Sequence, residues 1–222
     1  MAHVTLQADV DGLPVLPLAL YDEALMEVPN VGEFSASDDG AGVEAELVDP
    51  RWTLSVRVSG LDYDDYMVLK GWVQRVRTLH AGRFLGFDPR TRRPRAYDQA
   101  TVTPPTPTLS AALPQDPPRL VPLAGLGPGY QLSAGDRLGI VTTSGVRTVH
   151  EIVADVTASG GGAATVSVIP RVLLATASGV SVSLDRPLQL FHLRPGSFEH
   201  VLSIHGEIAF KAVSINRVLA EI

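Results

Sequence analysis

Cysteine is absent from the 222 residues, which removes disulfide staples, thiolate nucleophiles and thiolate zinc sites from consideration. Long apolar runs are missing too: Pro14, Pro17 and Pro29 already interrupt the amino-terminal region, and no stretch approaches the length of a membrane-spanning helix. The opening Met1-Ala2-His3-Val4-Thr5 has no basic stretch leading into an apolar one, so no secretory signal is expected. Positive charge is scarce. Lys and Arg number 18 against 24 Asp and Glu, a formal charge of -6, whereas a general nucleic-acid binder is usually basic.

What remains is a globular composition, 45% hydrophobic and 19% charged, in a chain long enough for one or two domains. Its pattern is mainly β. Residues 52–58 (Trp-Thr-Leu-Ser-Val-Arg-Val) alternate apolar and polar, the period of a half-buried strand. Residues 4–10, 43–48, 165–169 and 179–184 do the same, bounded by Gly, Pro, Asp or Ser, which supply turn geometry. There is no internal repeat of solenoid length.

One helix is expected from Asp62 onward. Asp62 suits the N-cap, with Asp65 three positions later as the acidic member of a capping box. Tyr66, Leu69, Val73 and Val76 form a single apolar stripe, and Trp72 widens it. Arg75 and Arg77 near the end complement the helix dipole, while Gly71 weakens the middle by about 1 kcal/mol. The segment Arg83-Phe84-Leu85-Gly86-Phe87 then reads as the next strand, with the helix laid across its sheet.

From residue 104 to 122 prolines accumulate (Pro104, Pro105, Pro107, Pro114, Pro117, Pro118 and Pro122), which predicts an extended, irregular connector. Beyond it, residues 123–184 form a second module. Leu132-Ser133-Ala134-Gly135-Asp136 is a tight turn into a strand at 138–142; Ser144-Gly145 turns into 146–156; and Ala158-Ser159-Gly160-Gly161-Gly162 closes a hairpin with 164–169. Strands this short and closely spaced suggest a small β-barrel. Alternation resumes at 188–193 and 204–218.

Residues that carry chemistry are present but do not converge. The histidines (His3, His80, His150, His192, His200 and His205) lack helical metal spacing, and His200 and His205 beside Glu199 and Glu207 read as loop residues around Gly206. Asp62, Asp64 and Asp65 with Tyr63 and Tyr66 are explained by capping before paired-carboxylate chemistry is needed. No nucleophile elbow is present. Gly160-Gly161-Gly162 lacks the Lys-Ser/Thr of a phosphate loop and lies between strands. Arg90-Thr91-Arg92-Arg93-Pro94-Arg95, near Arg83, has only Tyr97 as an aromatic neighbour, which points to a solvated loop or a patch facing an acidic neighbouring subunit. The expectation is therefore no catalytic residue, no cofactor and no metal.

Taken in order, the helix with Trp72, the Arg83–Pro89 stretch, the proline-rich segment, Leu132-Ser133-Ala134-Gly135-Asp136, Val149–Ala158, Gly162–Pro170 and Val182–Pro187 resemble the distal tail proteins of long, non-contractile-tailed bacteriophages. Ser159 stands where that pattern has Asp, and Arg171 where it has a second Pro. The resemblance covers the chain from about Trp52 to its end. It implies a tail-tube-like β-sandwich or split-barrel ring domain with one flanking helix (1–103 and 185–222), a connector (104–122), and an inserted barrel of oligosaccharide/oligonucleotide-binding type (123–184). It implies a homo-hexameric ring at the virion tail tip, made in the host cytoplasm, that joins the tube protein to the baseplate hub. Tape-measure and receptor-binding proteins are further partners, and DNA passes through without specific binding. A host-glycan-binding module is the alternative; Tyr130 is the one aromatic of residues 123–184 available to a sugar.

Overall fold

The computed structural model describes residues 4–19, 21–28, 32–36, 42–46, 51–97, 101–113, 119–142, 144–172, 175–202 and 205–215, with backbone alone for 32–36 and 42–46. The protein is mainly β, with one α-helix among these residues. No helix of the described residues is long and apolar enough to cross a membrane.

An extended lead, tied by the bridges Thr5–Leu18 and Val10–Leu13, precedes the first strand. Of the expected strand at 4–10, only these bridges form. Strand β1 (Glu23–Glu27) alternates exposed and buried residues, with Ala24 and Met26 facing inward. β2 (Gly32–Ala36) and β3 (Gly42–Glu46) follow as an antiparallel hairpin that pairs with no other described strand. β4 (Thr53–Leu61) buries Leu54, Val56 and Val58, as the sequence period requires.

Helix α1 (Tyr63–Leu79) starts where its cap predicts: the Asp62 carboxylate accepts from Asp65 N at 2.8 Å. Its buried face contains Tyr66, Leu69, Trp72, Val73 and Val76. Asp65 Oδ1 accepts from Val4 N at 3.1 Å, so it also secures the lead strand. Gly82, at φ +80°, reverses the chain after the helix and donates to Val76 O. β5 (Arg83–Gly86) follows.

The chain then leaves for a second unit. β6 (Thr108–Leu109), β7 (Leu120–Ala124), β9 (Arg137–Val141), β10 (Arg147–Ile152), β12 (Ala164–Ile169) and β13 (Val182–Ser183) form one antiparallel sheet, in the order β13-β9-β10-β12-β7-β6. The short pair β8 (Gln131–Leu132) and β11 (Val156–Thr157) lies beside it. The sheet closes on itself. Thr108 bridges Ser181, Val182 N donates to Pro107 O at 2.8 Å, and Leu109 N donates to Val180 O at 2.9 Å. The result is a six-stranded barrel, one strand more than an oligonucleotide/oligosaccharide-binding barrel.

The stretch 104–122 is thus not the connector that its prolines suggest. It supplies β6, the bridge of Leu113 to Thr176, and the start of β7. Proline costs a strand only its donor, and here the prolines accept: Pro107 O from Val182 N, and Pro122 O from Ser110 N.

The chain returns through β14 (Gln189–Leu193), β15 (Glu199–Leu202) and β16 (Gly206–Ser214). The first sheet runs β1-β4-β16-β14-β5, with β15 also on β16. Helix α1 packs on β16, β4 and β5. Trp72 meets Phe84 edge-on at 5.3 Å, and Phe84 stacks on Phe191 at 5.8 Å. The buried apolar residues form two clusters. One draws on residues 4–87 and 190–212, with Val149 from the barrel; the other lies within residues 109–184.

Candidate functional site

The most elaborate polar arrangement is the seam between the two cores. Trp52 begins it: its indole Nε1 donates to Val149 O at 2.7 Å, across 97 positions of chain. Val149 N donates in turn to Gln189 Oε1 at 3.0 Å. Arg137, at the start of β9, lays its guanidinium over the Trp52 ring, 4.7 Å from the centroid. Its Nη2 reaches Met26 O at 2.7 Å, Asp88 Oδ2 at 2.9 Å and Glu151 Oε2 at 3.5 Å. Arg137 and Asp88 are 8% and 7% exposed. Burial lowers the Arg137 pKa, while Asp88 and Glu151 oppose that shift and favour the cation. Nε and Nη1 have no hydrogen-bond partner among the described residues. The arrangement is a lock: it binds the end of β1, the start of β4 and the end of β5 to one wall of the barrel.

His150 is the other buried ionisable group. Its Nδ1 lies 2.7 Å from Pro170 O, which can only accept, so Nδ1 carries the proton. Nε2 then accepts from the Thr148 hydroxyl at 3.0 Å. Burial, partly opposed by the Pro170 contact, pushes its pKa down to about 4.

A second connection is made by the arginine run. After Asp88 the chain crosses from β5 to the barrel as a strap. Arg93 Nε meets Asp185 Oδ1 at 2.9 Å, and its Nη1 donates to Val102 O at 3.0 Å. Arg95 N donates to Asp136 Oδ1 at 2.9 Å, and its guanidinium reaches Ala134 O. Asp136 is fully buried and also accepts from Ser133 N at 2.7 Å, which explains the Gly135-Asp136 turn. Arg93 and Arg95 therefore find their carboxylates inside the chain, where a neighbouring subunit had been one expectation. Arg90 and Arg92 are exposed, and their guanidinium groups have no partner among the described residues.

Tyr97, at the end of the strap, stacks on Tyr130 at 4.5 Å and 20°. Its hydroxyl accepts from Gln131 N at 2.8 Å. One face of the barrel's single tyrosine is thus covered from within, and burial first, then Tyr97 and Asp136, push the Tyr130 pKa up to about 12.

The other suspected constellations resolve into structure. His200 Nδ1 lies 3.0 Å from Tyr66 Oη, and Glu207 pairs with Arg57 at 3.5 Å. Among the described residues no three His, Asp or Glu side chains gather as a metal site, and His3 lies outside them. Asp62 and Asp65 are held by capping and by Val4 N, as given above. Gly160-Gly161-Gly162 is a hairpin loop: Gly162 N donates to Ser159 O at 2.9 Å, and a Cβ at Gly162 would sit 2.9 Å from Gly127 N.

Strand edges complete the description. The β5 edge is covered by residues 14–16, with Leu85 N donating to Pro14 O and Leu16 N to Leu85 O. The barrel closes. Among the described residues no further strand pairs with the outer edges of β1 and β15 or with either edge of the β2–β3 hairpin. All four residues of β15 are exposed, Val201 at 59% and Leu202 at 50%. A groove of about 340 Å³ runs between residues 103–106 and 181–186 over β9. The chain matches no model of a known protein family and no curated protein.

Proposed function

We propose that this chain is a structural component of a phage tail tip, of the distal tail type, that assembles as a hexameric ring around the DNA channel and joins the tail tube to the baseplate hub. One observation carries the assembly part of this reading. β1 and β15 lie on opposite flanks of the β4–β16 pair, and no other described strand pairs with either outer edge. Two such edges on one sheet suit a head-to-tail contact, and such contacts close into rings when the rotation allows. Edge pairing between copies also removes a hazard that a soluble monomer would have to manage in some other way. The resemblance described for the sequence adds the tail identity.

On this reading the barrel stands on the ring's outside, where receptor-binding proteins could be met through its outer face. A host-glycan role for the barrel has less support, because Tyr97 already occupies one face of Tyr130. No nucleophile, acid/base pair or metal is assigned, and the reading is that of a scaffold and not an enzyme.

Negative-stain electron microscopy with light scattering tests the proposal on the purified chain. Six-fold rings with a central hole are the expected result. A strictly monomeric protein at high concentration, with no assembly onto tail-tube protein, would overturn it and favour a binding module.

A further inference from the structure

We propose that the outer face of α1 in one copy seats on the outer wall of the barrel in the next copy. The inference rests on the ring reading and names a contact that ties neighbours together.

The helix turns one face to its sheet and leaves the other bare. Tyr63 is 63% exposed, Met67 is exposed one turn on, and Val68 is exposed beside it. Leu6, also exposed, adds to this side, because the lead runs along the helix from Val4, held by Asp65, to Asp9, held by Arg75. Apolar residues gathered in this way, and not scattered singly, mark a contact surface. Gly71 is exposed on the same face, about two turns after Tyr63. Glycine is the poorest helix former after proline, yet it stands mid-helix here, and a Cβ on it would meet nothing within 4 Å. Neither turn geometry nor packing within the chain therefore asks for glycine. A body that approaches the helix backbone closely from outside does.

The barrel offers the matching surface. Leu120 on β7 stands opposite Ser167 on β12, and Val153 N, just past β10, donates to Ser167 O at 3.0 Å. Ile169, two residues beyond Ser167, shares its side of the strand. Leu120 is 58% exposed, and Val153 and Ile169 are exposed with it, so a second apolar patch lies on the barrel's outer wall. Charge makes the two patches complementary. Asp64 is exposed in the first turn of the helix, with no partner among the described residues. Arg119 precedes Leu120 and Arg171 follows Ile169 by two positions; both are exposed, and neither pairs with a carboxylate among the described residues. The competing charges nearby are engaged: Glu151 with Arg137, Asp155 with Ala134 N, Arg75 with Asp9, and Lys70 over the Tyr66 ring. Both patches are bare in a single copy, so a second copy supplies the complement. They are different surfaces, which makes the contact head-to-tail and able to repeat around a ring.

Gly71 gives a test that separates association from folding. Gly71→Arg puts a long side chain where the chain itself has open space, and arginine favours helix, so thermal unfolding should come at or above the wild-type temperature. Self-association, read by light scattering over a dilution series, should nevertheless fall by roughly thirtyfold, the loss expected when a central interface residue is spoiled. Asp64→Arg and R119E/R171E should each weaken association, and the chain with all three changes should recover part of it. The absence of native cysteine allows disulfide trapping as the independent readout. Differently tagged chains carrying Met67→Cys or Leu120→Cys alone are mixed and oxidised, and links between the two kinds should form faster than links within either kind.

Rings that persist in Gly71→Arg, with no mixed cross-link, overturn the helix-to-barrel contact and leave the ring reading intact. Mixed cross-links together with dissociation of Gly71→Arg, but in dimers or open chains without rings, support the contact and overturn the ring. Failure of the wild-type chain to associate, together with no cross-link, overturns both. Links formed mainly between Met67→Cys chains overturn the contact in favour of a two-fold pairing of helix with helix. A Gly71→Arg chain that unfolds early shows that the glycine serves the fold, and the mixed cross-link with the charge reversals then decides.

Discussion

Arg137 and Glu151 face each other across the β9–β10 ladder, and His150 is the next residue along β10. Arg137→Met would leave Asp88 buried without its cation. Loss of one partner of a buried pair costs about 3–5 kcal/mol, so urea unfolding should show a drop of that size. Adding Asp88→Leu should recover part of it, because the stranded charge is then gone. His150 makes the pH-dependent counterpart. Its folded pKa of about 4 lies below the ordinary 6.5. Above pH 6.5 neither state binds the proton and nothing is lost. Between 6.5 and about 4 the unfolded chain is protonated first, so stability falls with pH. Below about 4 both states bind it and the loss stops, at roughly 3–4 kcal/mol in all, as about 1.4 kcal/mol per pH unit requires. Wild type should lose about 3 kcal/mol more than His150→Gln between pH 7 and pH 4, read from urea midpoints. A smaller difference would mean that the ring is not held neutral. Neither residue declares itself in the sequence: a charged residue in an alternating strand reads as facing water, and the partners that reverse this, Met26, Asp88 and Pro170, lie far away along the chain.

At the scale of elements, α1 was the most legible because seventeen residues sample its period several times, and every stripe residue named from spacing is buried. β4 was nearly as plain. β6 and β7 were hidden by their prolines, whose carbonyls still serve a ladder; of the β2–β3 hairpin the sequence reads only β3, as 43–48, of which 47 and 48 lie outside the described residues. Packing between elements adds constraints that no spacing shows. Gly206 opens β16 directly over α1, and a Cβ there would lie 2.6 Å from the Tyr66 ring. Gly206→Ala should therefore destabilise by about 1–3 kcal/mol, the range for forcing atoms into a filled core, and thermal unfolding will report it. An unchanged midpoint would show that Tyr66 can step aside despite its contact with His200.

For the whole molecule, the sequence divides the chain near residues 103 and 185, and the buried clusters part within the same intervals, between Phe87 and Leu109 and again between Leu184 and Leu190. The disagreement lies in residues 104–122, read as a separate connector but supplying β6 and the start of β7 to the barrel sheet. The seam itself was out of reach of sequence reasoning. Trp52 was legible as a strand residue, but its bond to Val149 and its cover over Arg137 depend on how two units meet.

The way the barrel leaves and rejoins the first sheet has a further consequence. β5 and β14 are neighbours in that sheet, with Gly86 directly opposite Gln189. The whole intervening unit therefore begins and ends on adjacent rungs of one ladder, where a short turn would join the strands without moving either. In evolutionary terms this makes the site an insertion port. A shorter ancestor could have closed it as a plain hairpin, and other cassettes could occupy it, provided that each brings its own cover for Trp52 and its own counter-charge for Asp88.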